Sequence, residues 1–308
     1  MTDTRFKRIE KKKTQELISY DHSVWKDIKK ELFSNKIALV SIVILLIIII
    51  ASILAPLSPY DPNKINVAEK LQGISAKHIF GTDEYGRDYF TRALYGGRIS
   101  LTVGFCSMIM TVILGTAIGI TSGYFGGKVD MFLMRFTEIF GAIPFLPFAM
   151  ILSAPMAQMD ISENEKIFIL MVILGLLSWT GLARLVRGQI LLAREQEYVT
   201  AAKAMGLRES RIAFRHILPN IVSVIFVTLT LDFATCMLTE STLSYLGFGV
   251  TYPRPTWGNM LNGANNSTVI KNFWWRWLFP AIFLAITCIC INIVGDTLRD
   301  VMDPKSDR

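Results

Sequence analysis

Apolar residues in this chain are gathered into long uncharged runs separated by polar connectors. Residues 37–57, 100–121, 139–159, 167–183 and 277–295 hold no Asp, Glu, Lys or Arg, and residues 218–239 hold only Asp232. A hydrocarbon layer about 30 Å thick is crossed by about 20 apolar helical residues. A helix also satisfies its own backbone there. The pattern predicts an all-α polytopic membrane protein with six transmembrane helices. The first run is almost pure branched aliphatic and lacks the small-residue stripe that tight packing in lipid uses, which places it at the periphery. The second carries Gly104, Gly115 and Gly119 and belongs inside the bundle. The third contains Pro144 and Pro147, which predict a kinked or broken span.

Composition adds an orientation. The 308 residues are 52% hydrophobic and carry a net charge of +7. That surplus lies in one set of alternate connectors: residues 1–36, 122–130, 184–217 and 296–308 hold 21 Lys and Arg, against 10 in the opposite set. Basic connectors stay on the cytoplasmic side, so both termini are expected there, in a plasma membrane. The basic balance reads as topology and calls for no nucleic acid. The leader before the first run is long and Pro56 stands where cleavage would fall, so the run reads as a retained anchor. Cys106, Cys236, Cys288 and Cys290 all lie in apolar runs and imply neither disulfides nor a metal site.

The most informative polar stretch is 197–220, EYVTAAKAMGLRESRIAFRHILPN. Glu197 to Met205 suits a helix, with Ala201 and Ala202 as strong formers and Gly206 as its left-handed cap. A second short helix is expected over 208–217, running to Pro219, which is tolerated at the start of the next span. Two short helices at an angle along the membrane surface would make a rigid lever, with the alanine pair small enough to enter a partner's groove. An ordinary connecting loop fits the residues equally well.

Other candidates are few. Asp232, mid-span, either lines a translocation path or hydrogen-bonds a neighbouring helix. Arg135 and Glu138 share a helical face and predict an ion pair. Glu240 falls at the outer membrane boundary, suited to gating or to solvation. Residues 122–129 lack the first glycine and the Ser/Thr of a phosphate loop. His22, His78 and His216 all lie outside the runs, and no catalytic dyad or triad emerges, against a membrane-embedded enzyme. An ion-driven secondary transporter stays open through Asp232, Arg135 and Glu138.

The spacing Ala201-Ala202-x3-Gly206, followed by Ile217-Leu218-Pro219, resembles the signature loop of ABC importer permeases. Thr200 and His216 are similar to the peptide-importer branch. GTDEYGRD (81–88) with YGGRISLTVG (95–104), GYFGGKVD (123–130), and ESTLSYLGFG with PTWGNML (240–261) resemble, in order, segments of its C-type subunit.

The resemblance implies a type I importer permease fold. Residues 1–36 would be a cytoplasmic segment, 37–99 the first helix with a structured outside loop, 100–298 the core permease domain, and 299–308 a cytoplasmic tail. It implies a coupling helix at about 195–207, with Glu197, Thr200, Ala201, Ala202, Ala204, Gly206, Leu207 and Arg211 meeting an ATPase subunit. It implies docking of an extracytoplasmic peptide-binding protein at Gly81, Thr82, Asp83, Gly86, Arg87 and Asp88, and a path touching Asp232 and Glu240. The implied partners are a homologous B-type permease, two ABC ATPase subunits and the lipid bilayer. ATP and magnesium would be bound by the ATPases, with no cofactor in this chain. The implied cargo is dipeptides or oligopeptides; nickel chelates or another small solute are the alternative.

Overall fold

A computed structural model describes Leu32 and residues 34–302. Most of the expected N-terminal segment, and 303–308 of the tail, lie outside the described residues. Those described form helices and connecting loops, with no strand among them. The long helices are α1 (Lys36–Ile53), α2 (Tyr89–Phe125), α3 (Gly127–Ala142), α4 (Phe145–Ser153), α5 (Glu163–Arg194), α7 (Glu209–Tyr245) and α10 (Trp275–Met302). Shorter ones are α6 (Glu197–Ala204), α8 (Trp257–Leu261) and α9 (Ser267–Asn272).

Five helices are long and apolar enough to cross a membrane, and α3 with α4, bent by 80° at their junction, makes a sixth when the pair is counted as one broken span. The break has a local cause. Pro144 forces Ile143 out of the helical region, and Ile143 sits at φ −76°, ψ 127°, the extended conformation expected before proline.

Burial follows the small-residue pattern. Only 22% of the apolar window of α1 is buried, against 44% for α2. Helix α1 rests on α10 and α2 at the edge, while α2 packs along α5. Gly115, Gly119 and Gly123 line that contact at four-residue spacing. A Cβ at Gly119 would stand 2.7 Å from the Ala183 carbonyl oxygen and one at Gly115 2.9 Å from Leu182. The two backbones therefore touch through glycines, the close approach that dispersion-driven association in lipid exploits.

Two boundaries differ from the sequence expectation. Helix α2 starts at Tyr89, not near residue 100, because Asp88 caps it by accepting from the Thr91 amide at 2.7 Å. The second arm of the lever is no separate helix on the membrane surface: Glu209 to Tyr245 runs as one helix of 37 residues. Pro219 would clash with the carbonyl four residues earlier in a regular α-helix. A single π turn at Ala213–Ile217 precedes it and widens the helix there, and Asn220 Nδ2 donates to the His216 carbonyl at 2.8 Å. Helix continuity is thereby kept through a proline.

Candidate functional site: an elbow fused to a membrane span

Helix α6 ends in a complete Schellman motif. Gly206 adopts φ +72°, its amide donates to the Lys203 carbonyl at 2.9 Å, and the Leu207 amide donates to the Ala202 carbonyl at 3.3 Å. These bonds satisfy the orphan carbonyls and reverse the chain at a fixed angle. A Cβ at Gly206 would meet no atom within 4 Å, so only the left-handed backbone demands glycine there. Arg208 then caps α7 in extended conformation.

The alanine pair divides its work. Ala202 is buried, packed with Val199, Ile212 and Ile217 of the elbow and with Ile190 and Ala193 of α5. Leu207 joins the same cluster. Ala201 is exposed, as are Glu197, Thr200, Ala204 and Arg211. Of the two alanines expected at a partner, Ala202 anchors the elbow and Ala201 lies on its open face.

Beneath the elbow lies a polar chain that sequence reading had only touched. Lys203 of α6 and Arg194 of α5 both stand over the Tyr124 ring of α2, at 5.9 and 5.8 Å, a cation–π arrangement. Arg194 Nη1 also donates to the Gly123 carbonyl at 2.9 Å. Two turns back along α5, Arg187 grips Asp130 of α3 in bidentate fashion, Nε to Oδ1 at 2.5 Å and Nη2 to Oδ2 at 2.6 Å. Ser122 donates to the same carboxylate. The planar guanidinium fits a carboxylate fork, so this clamp fixes orientation as well as distance. The elbow, α2, α3 and α5 are tied together in a short span.

Helix α7 carries the intramembrane carboxylate. Asp232 is half-buried and has no hydrogen-bond or ion-pair partner among the described residues. Thr228, Thr235, Thr239 and Thr242 share its face by alternating four- and three-residue spacing, and each hydroxyl donates to the carbonyl four residues earlier, at 2.7–3.0 Å. The result is a polar strip along an otherwise apolar span. Sequence reading isolated Asp232 but missed the threonines that accompany it.

Glu240 is different. It is fully buried, neither solvated nor facing an open path in this conformation. Its carboxylate accepts from Ser100 Oγ at 2.8 Å, Ser244 Oγ at 2.7 Å and Ser241 Oγ at 3.2 Å. Ser100 in turn accepts from the Trp257 amide at 3.3 Å. Glu240 thus ties α7 to α2 and α8. Arg135 and Glu138 do form the expected ion pair, at 2.7 Å and largely exposed.

On the opposite face, the loop between α1 and α2 uses the residues expected to dock a partner for its own construction. Gly81, Thr82, Asp83, Gly86, Arg87 and Asp88 are all buried. Asp83 accepts the Tyr85 and Arg87 amides at 2.9 and 3.0 Å and the Arg87 guanidinium at 2.7 Å. Thr82 Oγ1 donates to the Glu69 carbonyl at 2.6 Å. Asp88, besides capping α2, lies 2.9 Å from His78 Nδ1, whose Nε2 lies 3.2 Å from Glu69. Lys77, and then His78, hold the Glu69 carboxyl below its ordinary range, and the Glu69 contact raises Lys77. This contact is at full strength at neutral pH, is lost as pH falls through the lowered Glu69 value, and is lost again as pH rises through the raised Lys77 value. The loop's open face mixes charge with apolar surface: Asp61, Lys64, Lys70 and Lys77 are exposed, and Ile65, Val67, Ile74, Ile79 and Tyr85 are each at least 45% exposed.

Fold and site together define a polytopic helical membrane protein whose elbow is continuous with one of its spans. The chain belongs to the family described as binding-protein-dependent transport system inner membrane component, which matches residues 115–308. The N-terminal TM domain of oligopeptide transport permease C matches residues 23–73. The chain is 38% identical to an oligopeptide transport system permease protein OppC of Haemophilus influenzae, over 99% of each chain. It is 38% identical to an OppC of Bacillus subtilis, over 92% of this chain and 90% of that one. A dipeptide transport system permease protein DppC of Bacillus subtilis is 37% identical, over 94% and 88%. Membership makes this chain a membrane permease subunit of an ABC transporter, working with other ABC subunits.

Proposed function

We propose that this chain forms half of the translocation pore of an ATP-driven importer of dipeptides or oligopeptides, paired with a homologous B-type permease. The observation that carries the reading is the continuity of the elbow with α7. A displacement applied to α6 passes through the Schellman turn into a helix that needs no further joint to reach Asp232. The names of the curated relatives support peptides as the cargo over nickel chelates or another solute.

In this reading the elbow lies in the cytoplasm with both termini, as the basic connectors favour. Two ABC ATPase subunits bind ATP and magnesium and hydrolyse the nucleotide, one of them receiving the open face of α6 around Ala201. The chain itself is non-catalytic. Closure of the ATPase pair moves α6. Helix α7 follows directly, and the Asp130–Arg187 clamp transmits the motion to α3 above its break at Ile143. The threonine strip offers hydroxyl oxygens to a hydrated peptide, and Asp232 is the anionic group on that face suited to an amino terminus. An extracytoplasmic binding protein delivers the peptide to the far loop. There the exposed apolar residues and Tyr85 make contact, while Gly81 to Asp88 hold them in place.

The test is uptake by the complete complex in proteoliposomes. Labelled peptide should accumulate only with ATP and binding protein, and collapsing the membrane potential should leave the rate unchanged. Uptake that follows the potential without ATP would return the chain to ion-driven transport.

A further inference from the structure

Two cavities meet at Arg98. The first, about 600 Å³, opens at the loop face between α2 and α5, with Tyr95, Arg98, Phe168 and Arg254 in its wall. The second, about 720 Å³, lies deeper between α1, α2, α7 and α10, and its wall is almost entirely carbon, including Leu45, Ile49, Phe105 and Phe233. Arg98 and Thr102 line both. They sit one turn apart on α2, where Thr102 Oγ1 donates to the Arg98 carbonyl at 2.6 Å. The cavities therefore adjoin as one amphipathic slot, cationic at the mouth and apolar below.

The cations at the mouth are free. Elsewhere on this face Arg87 and Arg92 face Asp83, and Arg276 faces Glu84. Neither the Arg98 nor the Arg254 guanidinium has an ion-pair or hydrogen-bond partner among the described residues. An unpaired guanidinium beside an apolar groove suits a phosphate, which it grips bidentately. One wall of the groove is α1, the least buried of the membrane-crossing helices, and Ile53 of α1 and Phe105 of α2, both in that wall, are exposed. The slot therefore faces the periphery, where bilayer lipid is. A hydrated peptide would have to shed water from its polar groups to lie against walls of carbon, whereas an acyl chain already in hydrocarbon packs there without that cost.

We propose that this slot binds one phospholipid with an anionic headgroup, its phosphate against Arg98 and Arg254 and an acyl chain in the apolar cavity. The lipid would fill the space between α1 and the bundle and fix α1 against α2, a role separate from peptide passage.

The complete complex, purified from a membrane holding both phosphatidylglycerol and phosphatidylcholine, would be analysed for retained lipid by mass spectrometry. The unaltered complex should retain phosphatidylglycerol in preference. Arg98→Gln with Arg254→Gln should lower that retention about tenfold, equivalent to about 1.4 kcal/mol, while Arg98→Lys keeps most of it. Leu45→Trp, which fills the groove, should lower retention of both lipids. Size-exclusion profiles matching the unaltered complex ensure that folding is not being read. Phosphatidylglycerol retention unchanged in the double variant would overturn the proposal. So would its displacement by a transported peptide, which would give the arginines to cargo, or by inorganic phosphate at millimolar level, which would make the mouth a free-anion site.

Discussion

Replacing Ala201 with arginine is expected to abolish peptide uptake and substrate-stimulated ATP hydrolysis while leaving the chain inserted and paired with its partner permease. Ala201 is exposed on α6 and takes no part in the cluster that holds the elbow together. A long charged side chain there leaves the fold intact. It would, however, block entry of the helix into a groove shaped for a methyl group. Loss of about 2 kcal/mol of docking energy corresponds to on the order of a 30-fold weaker ATPase association. Ala202→Arg makes the contrast. That side chain is 2% exposed, so its replacement should disrupt the elbow itself and lower the yield of folded chain. Gly206→Ala should act between the two, since the left-handed backbone costs an L-residue about 1–2 kcal/mol. Pull-down of the ATPase subunits, insertion and uptake, measured on the three variants, separate the effects. Normal uptake by Ala201→Arg would remove α6 from the coupling route.

Breaking the clamp between Asp130 and Arg187 is expected to uncouple hydrolysis from transport. Two charge-assisted bonds join α3 to α5, each of a kind worth about 1.5–3 kcal/mol. Asp130→Ala leaves the Arg187 guanidinium without its acceptor, and Arg187→Ala leaves the carboxylate with Ser122 alone. The ATPases would still dock, because α6 is untouched, and would continue to hydrolyse ATP. Peptide uptake per ATP should fall about tenfold or more, equivalent to at least about 1.4 kcal/mol. The exchange Asp130→Arg with Arg187→Asp should restore a substantial part of it. Uptake falling in step with hydrolysis in every variant, with no recovery in the exchange, would reduce the clamp to general stability.

Much of this was legible in sequence for definite reasons. Uncharged runs of membrane length have one stable use, so the spans could be placed, and proline at 144 marked the broken one. Gly206 after a run of strong helix formers located the elbow's turn. The rest depended on context that local pattern does not carry. Pro219 reads as the first turn of the next span, and nothing nearby signals the π turn that lets one helix run continuously from the elbow through it. The dense charges of Gly81 to Asp88 read as exposed, yet Asp83 pairs with Arg87, Asp88 with His78 and Glu84 with Arg276, and Asp83, Arg87 and Asp88 turn inward. Asp88 ahead of Tyr89 is a cap signal that was available, but Arg92 and Arg98 in the following turns disguised a helix that only later becomes apolar. The spacing of Thr228, Thr235, Thr239 and Thr242 around Asp232 was also there to read. It passed unremarked because threonine is unexceptional in a membrane span when its hydroxyl bonds back to the helix.

A photo-reactive amino acid placed at position 201 of the assembled transporter in intact cells tests the central idea most directly. If the elbow transmits force from the nucleotide-hydrolysing subunits to α7, illumination should join this chain to one of those subunits, more efficiently in the ATP-bound state. Crosslinking to lipid, to an external protein or to no polypeptide would contradict it.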